Sequence, residues 1–123
     1  RLGEERAKKT NRYRDILDAG CLLAGGSDSD VTPMNPLLGI HGAVNHSNEE
    51  QRIEVEEALK MFTINAAKSV FEEDIKGTIE PGKMANFTVL DKNLLEVPKD
   101  EIKDIKVEET IIDGVTYYSS QEE

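Results

Sequence analysis

The chain has 123 residues, which is the size of one domain, and 25 acidic side chains against 15 Lys and Arg give it a net charge of −10. The negative electrostatic potential of such a chain repels phosphate backbones and anionic lipids, so we expect no nucleic-acid partner and no membrane partner. The chain has few aromatic side chains with which to build a core: three Phe, three Tyr and no Trp. Together with a start at Arg1 rather than Met, this indicates a piece of a larger protein.

The single cysteine, Cys21, excludes an internal disulfide. It lies in the apolar run Cys21–Ala24, where a buried and inert thiol is expected. No apolar run approaches the roughly 20 residues that span a bilayer, and no secretory signal is recognisable. The sequence therefore predicts a cytoplasmic location.

The first third of the chain predicts a helix, then a buried strand. The helix runs from about Glu4 to Ala19 and ends at Gly20 as its C-cap. Cys21–Ala24 is apolar without alternation, which is typical of a parallel strand buried on both faces. Residues 25–30, GGSDSD, place two carboxylates where that strand ends. In β/α barrels this is the end that carries the chemistry.

The middle of the chain predicts three helices. The first covers Leu37–Val44, and the second ends near Phe62 with its apolar side chains on one face. Thr63 is placed to be the N-cap of the third. From residue 73 the periodicity changes to that of strands.

The last third predicts antiparallel strands. Pro81-Gly82 is a type II turn pair, and apolar residues alternate over Ala85–Val89. A polar connector, Pro98–Asp104, is followed by a hairpin with its turn at Asp113-Gly114. The sequence thus changes from α/β character over residues 1–72 to antiparallel β character over residues 73–123, and one continuous fold has to accommodate both parts.

Four segments in order resemble the amidohydrolase superfamily, specifically its family 3. Gly26-Ser27-Asp28 with residues 33–40 (PMNPLLGI) resembles the last barrel strand and its loop. Residues 56–67 (EEALKMFTINAA) look like the paired helices after the barrel. Residues 76–91 (KGTIEPGKMANFTVLD) are similar to the recurrent KGSIEPGKLADFVVLD pattern, with Asn86 in place of an aspartate, and residues 107–118 match the final strands.

The resemblance implies a fold in which a metal-binding (β/α)8 barrel is flanked by a small β-sandwich. This chain would be a C-terminal fragment that holds the last barrel strand, the helices after it and part of the sandwich. The distinctive segment Gly77–Asp91 would be structural. The first seven barrel strands would lie outside the chain.

The resemblance also implies a metal-dependent hydrolase that cleaves a C–N bond in a small amide, formamide or cyclic amide. Asp28 would be the catalytic residue and a ligand of a divalent metal, expected to be zinc, and would shuttle a proton. With one ligand present, we expect the fragment itself to be inactive, and to self-associate through its exposed barrel strand. The alternatives are a non-catalytic amidohydrolase-like scaffold and a stand-alone interaction module; a His-x-His motif upstream would favour the enzyme.

Other polar residues have more ordinary interpretations. From spacing alone, Asp28 is a loop-capping side chain, and Asp30, which departs from the family pattern, is a loop carboxylate. Ser27 and Ser29 lack the histidine and acid of a triad. His41 and His46 are five residues apart and do not share a helical face. By resemblance, His46 could contact the substrate, because family members often carry a basic residue there.

Overall fold

The computed structural model describes residues 3–121. This range contains five short α-helices and three β-strands: α1 (Glu4–Ala7), α2 (Tyr13–Asp18), α3 (Pro36–Val44), α4 (Val55–Met61), α5 (Ile64–Ser69), β1 (Phe87–Leu90), β2 (Val107–Ile112) and β3 (Val115–Ser119). Two 3-10 helices cover Glu49–Gln51 and Lys99–Asp104. Among the helices of the described range, none combines the length and the apolar character needed to cross a membrane.

The prediction of one helix from Glu4 to Ala19 is wrong, because the structure divides it into α1 and α2. The Thr10 hydroxyl donates to the carbonyl of Ala7 (2.7 Å), a local bond that competes with helix continuation. Asn11 then has φ +49°, which no right-handed helix accommodates but which asparagine tolerates.

The predicted end of that helix at Gly20 is confirmed. Gly20 has φ +75°, and its N–H donates to the carbonyl of Leu17 (2.9 Å) while the Cys21 N–H donates to that of Ile16 (3.1 Å). This pair of bonds is a Schellman motif, which favours glycine because the left-handed conformation is strained for other residues.

The predicted strand at Cys21–Ala24 does not form in this chain. Its residues pair with no strand in the described range, and Cys21, predicted to be buried, is exposed. The unbroken apolar run predicted burial on both faces. In the described residues only one side of the segment is covered, since Leu23 is half-buried while Cys21, Leu22 and Ala24 are exposed.

The core lies between α3, α4 and the second 3-10 helix. Its buried residues are Leu37, Ile40, Ala43, Val44, Ile53, Ala58, Met61, Leu94, Ile102 and Ile105. The prediction of a polar connector at Pro98–Asp104 is wrong, since Ile102 is completely buried. This core draws on both sides of residue 72, so the division after that residue stays a prediction.

The strands form one antiparallel sheet in the order β1-β2-β3. Asp113 and Gly114 have φ +50° and +79° between β2 and β3, which confirms the predicted hairpin turn and fits type I′ geometry. No second sheet packs on this one within residues 3–121, so the sandwich stays a prediction.

A half-buried lysine, Lys83, supports the turn before β1. Gly82 has φ +93°, and the Lys83 N–H donates to the Glu80 carbonyl (3.2 Å), which confirms the type II turn. The Lys83 ammonium donates to the Glu73 carbonyl (2.7 Å) and the Thr78 hydroxyl (2.5 Å) and pairs with the Glu80 carboxylate (2.9 Å). These contacts favour the structural interpretation of this segment.

Candidate functional site

The segment that leads to Asp28 lies against the junction of α4 and α5. Burial alternates along it: Leu23, Gly25 and Ser27 are half-buried, while the residues between them are exposed. Such a period of two is typical of extended chain. The Gly25 N–H donates to the Met61 carbonyl (2.9 Å), and the Asn65 side chain donates to the Leu23 carbonyl (2.9 Å).

The ring of Phe62 fills the space between this segment and α3. A Cβ added to Gly25 would lie 2.6 Å from the ring, and one added to Gly39 would lie 2.4 Å from it. Real Cβ atoms do not approach so closely, so both positions require glycine as long as the ring stays in place. Sequence reasoning did not predict this contact, because nothing in the pattern links residues 25, 39 and 62.

Asp28 begins the turn that follows. The Val31 N–H donates to the Asp28 carbonyl (2.7 Å), and the Thr32 hydroxyl donates to the Ser27 carbonyl. Asp28 itself has φ +48°, a conformation that is uncommon outside glycine and is found at functional sites.

The Asp28 carboxylate is exposed, and within residues 3–121 it accepts no hydrogen bond and forms no ion pair. The loop-capping interpretation would require such a bond, so the structure does not support it. The neighbouring Asp30 differs, because the Ser29 hydroxyl lies 3.5 Å from its Oδ1.

Asp28 fits a metal site as a single ligand. A carboxylate with all its lone pairs free is a suitable donor for zinc or another divalent cation. In the described range, however, no group of three or more His, Cys, Asp or Glu side chains could hold a metal ion. A complete site would need ligands from outside these residues.

His46 lies in a different environment from Asp28. It is 9% exposed, its ring meets Tyr13 edge-on with centroids 5.6 Å apart, and its Nδ1 lies 3.0 Å from the Asn48 nitrogen and 3.1 Å from the Asn48 carbonyl oxygen. Burial raises the pKa of the Tyr13 hydroxyl. No hydrogen bond or ion pair joins His46 to Asp28 among the described residues.

An ion pair fixes α2 against α4. Arg14 donates to Glu57 through its two terminal guanidinium nitrogens: Nη1 lies 3.2 Å from Oε1, and Nη2 donates to Oε2. Glu57 also accepts the Glu54 N–H (2.8 Å), which completes a capping box at the start of α4. The Arg14 hydrogen bond lowers the pKa of Glu57. Since the two residues are 43 positions apart, sequence reasoning did not predict the pair.

The sequence profile described as "Amidohydrolase family" matches residues 1–118 of the chain. This match covers nearly the whole length, including the segment before Asp28, the Asp28 turn, the α4–α5 junction and the sheet. The chain therefore belongs to the Amidohydrolase family, as the resemblance predicted.

Two similar proteins of known sequence are a putative amidohydrolase, YtcJ, of Bacillus subtilis and an N-substituted formamide deformylase of Arthrobacter pascens. The first is 33% identical over 96% of this chain and 24% of its own length. The second is 31% identical over 85% of this chain and 21% of its own length. The chain thus spans less than a quarter of each of these two relatives.

Two solved structures share the fold. An amidohydrolase of Thermotoga maritima superposes with a TM-score of 0.71 and 28% identity, over 92% of this chain and 26% of its own. An uncharacterized metal-dependent hydrolase of Pyrococcus furiosus superposes with a TM-score of 0.67 and 34% identity, over 76% of this chain and 20% of its own.

Proposed function

We propose that this chain supplies Asp28 to the active site of a metal-dependent amidohydrolase that cleaves a C–N bond other than a peptide bond. The free Asp28 carboxylate, displayed by a left-handed residue at the start of a turn, is the observation that carries the proposal. The family match adds support, as do a relative named as a formamide deformylase and a structural neighbour named as a metal-dependent hydrolase.

The proposed cofactor is a divalent cation, which we take to be zinc. When bound, such an ion lowers the pKa of water towards neutrality and so supplies a nucleophile at neutral pH. Asp28 has two roles in the proposal. Its carboxylate is one ligand, and it accepts a proton from the attacking water and donates that proton to the leaving nitrogen.

His46 is the second proposed site residue, as a contact to the small amide substrate. Its Nδ1 is occupied by the N–H and the carbonyl of Asn48, so Nε2 is the ring nitrogen that is left to meet a polar atom of the substrate. Replacement of His46 by Gln would then raise KM more than it lowers kcat in an enzyme that contains this chain.

For the chain by itself we propose no turnover, weak zinc binding and self-association in a cytoplasmic setting. Self-association is expected because Leu22 is 51% exposed. The main-chain groups of Leu22 and Ala24 also have no hydrogen bonds in the described range. An unpaired apolar edge of this kind recruits other chains. Isothermal titration with zinc and size-exclusion chromatography test this; stoichiometric, tight zinc binding would contradict it.

The activity is tested by a chimera in which this chain replaces the matching segment of the Arthrobacter formamide deformylase. We expect the chimera to retain bound metal and to hydrolyse an N-substituted formamide. Metal content and a monodisperse elution profile establish that it is folded. A folded, metal-loaded chimera without turnover would contradict the proposal and favour a non-catalytic scaffold.

A further inference from the structure

The segment before Asp28 is held along one edge by polar contacts. The main-chain groups involved are the carbonyl of Leu23 and the N–H of Gly25, two residues apart. In extended chain the carbonyl of one residue and the N–H of the second residue after it point to the same side. Their partners, the Asn65 amide and the Met61 carbonyl, therefore occupy the place that a neighbouring strand would take.

Asn65 is the one side chain in this arrangement. It lies near the start of α5, is half-buried, and places its Nδ2 2.9 Å from the Leu23 carbonyl. Of the two bonds, only this one can be removed by substitution without altering the main chain. The Phe62 ring beneath Gly25 limits how far the segment can move towards α3.

The orientation of Asp28 depends on this backbone. Its own carboxylate has no partner among the described residues, so nothing but the chain on either side of it sets the direction of the side chain. On the N-terminal side, the last main-chain groups bonded to another element are those of Leu23 and Gly25, five and three residues away. The bond from the Thr32 hydroxyl to the Ser27 carbonyl lies within the turn itself.

We propose that Asn65 is a positioning residue for Asp28, which acts by holding the Leu23 carbonyl and thereby the direction of the segment that carries the carboxylate. That Asn65 holds the segment is argued from geometry alone. That this affects catalysis rests on the proposed function of Asp28. Asn65 does not touch the reacting atoms.

The test is an NMR comparison of the chain with its Asn65→Asp variant, which keeps the shape of the side chain but loses the N–H donor. At neutral pH we expect the amide order parameters of residues 24–28 to fall from about 0.85 towards about 0.6. The carbonyl carbon shift of Leu23 should change as well. Below the pKa of the new carboxyl group, its O–H can donate to Leu23, and both signals should return towards those of the parent.

The matched control is Ser69→Ala, also on α5, where the hydroxyl donates only within the helix to Ala66 (2.7 Å). It should leave residues 24–28 unchanged. Unchanged order parameters in Asn65→Asp would overturn the proposal. So would a uniform change of the order parameters across the core, or a failure of the two signals to return at low pH, because either result would show a general structural role.

The outcome is separable from that of the proposed function. In the deformylase chimera, Asn65→Asp should lower kcat at neutral pH with little change in KM, and activity should recover in part at lower pH. If Asp28 proves dispensable for turnover while the NMR result holds, the proposed function fails and the structural tether remains. If Asp28 is essential but Asn65→Asp leaves kcat unchanged, the positioning role fails.

Discussion

The Phe62 ring lies so close to Gly39 that a Cβ at that position would be 2.4 Å from its Cζ. Gly25 lies against the same ring, at 2.6 Å from an added Cβ, so the ring is held between the two glycines. The ring therefore connects helix α3, the end of α4 and the segment that leads to Asp28, and we call this arrangement the Phe62 wedge.

Gly39→Ala should therefore destabilise the chain by about 1–3 kcal/mol through overpacking. This loss should exceed the roughly 1 kcal/mol that alanine gains over glycine in a helix. The control is Gly42→Ala on the same helix, where an added Cβ has open space, and which should stabilise slightly. Urea unfolding followed by circular dichroism measures both, and equal effects at the two positions would contradict the wedge.

Glu57→Gln should lower the free energy of unfolding by about 1 kcal/mol at pH 7, since it breaks a partly exposed, charge-assisted pair. Arg14 holds the pKa of Glu57 below its ordinary 4.5 in the folded chain. The contribution of the Arg14–Glu57 pair to the free energy of unfolding is therefore complete above pH 4.5. It disappears as the pH falls through the lowered pKa of Glu57 in the folded chain.

The measurement is stability against pH from 7 to 3 for the parent, Glu57→Gln and the exposed neighbour variant Glu56→Gln. The difference between the parent and Glu57→Gln should shrink over the acidic end of this range. The difference for Glu56→Gln should stay small throughout. A Glu57→Gln difference independent of pH would mean that the ion pair does not stabilise the fold.

Ile102→Ala should cost about 2–5 kcal/mol, because it removes a completely buried side chain from the core between α3 and α4. Leu95→Ala, at a position that is 52% exposed, is the control and should change stability by roughly 0.5 kcal/mol or less. Chemical denaturation of both variants decides whether the second 3-10 helix belongs to the core. If both variants lose a similarly small amount of free energy of unfolding, that helix lies outside the core.

Lys83→Met should destabilise by roughly 1–3 kcal/mol, because the Glu73 carbonyl and the Thr78 hydroxyl lose their donor. The side chain of Lys83 is only 14% exposed, so water replaces the ammonium incompletely. Lys103→Met, on an exposed side chain, is the matched control. If both variants unfold at the same urea concentration as the parent, the network at the turn contributes nothing.

Local chemistry made several elements predictable. Gly20 ended a helix, Pro81-Gly82 made a type II turn, and Asp113-Gly114 made a hairpin, since each depends on neighbouring residues and on a positive φ that glycine permits. The apolar spacing of α3 and α4 also matched their structure. The position of Asp28 at the end of its segment followed from the same pattern.

Apart from the interruption of the first helix, which is local, the failures involve partners that are distant in sequence or absent from the described residues. Cys21–Ala24 needs neighbouring strands to become a strand, and Ile102 is buried in a core to which α3 and α4 contribute. Asn11 interrupts the first helix through a conformation that helical periodicity does not report. The contacts of the Phe62 wedge and the hydrogen bond from Asn65 to Leu23 join residues between 23 and 42 positions apart, which no spacing rule connects.

The most direct test of the central claim, that Asp28 is the catalytic carboxylate, is the kcat of the deformylase chimera with Asp28→Asn, compared with Asp30→Asn. The two variants remove one carboxylate each from the same exposed turn. We expect Asp28→Asn to lower kcat by at least about 100-fold, as for the loss of a general acid–base group, and Asp30→Asn to leave it within a few-fold. Equal turnover in the two variants, with metal bound in both, would contradict the assignment.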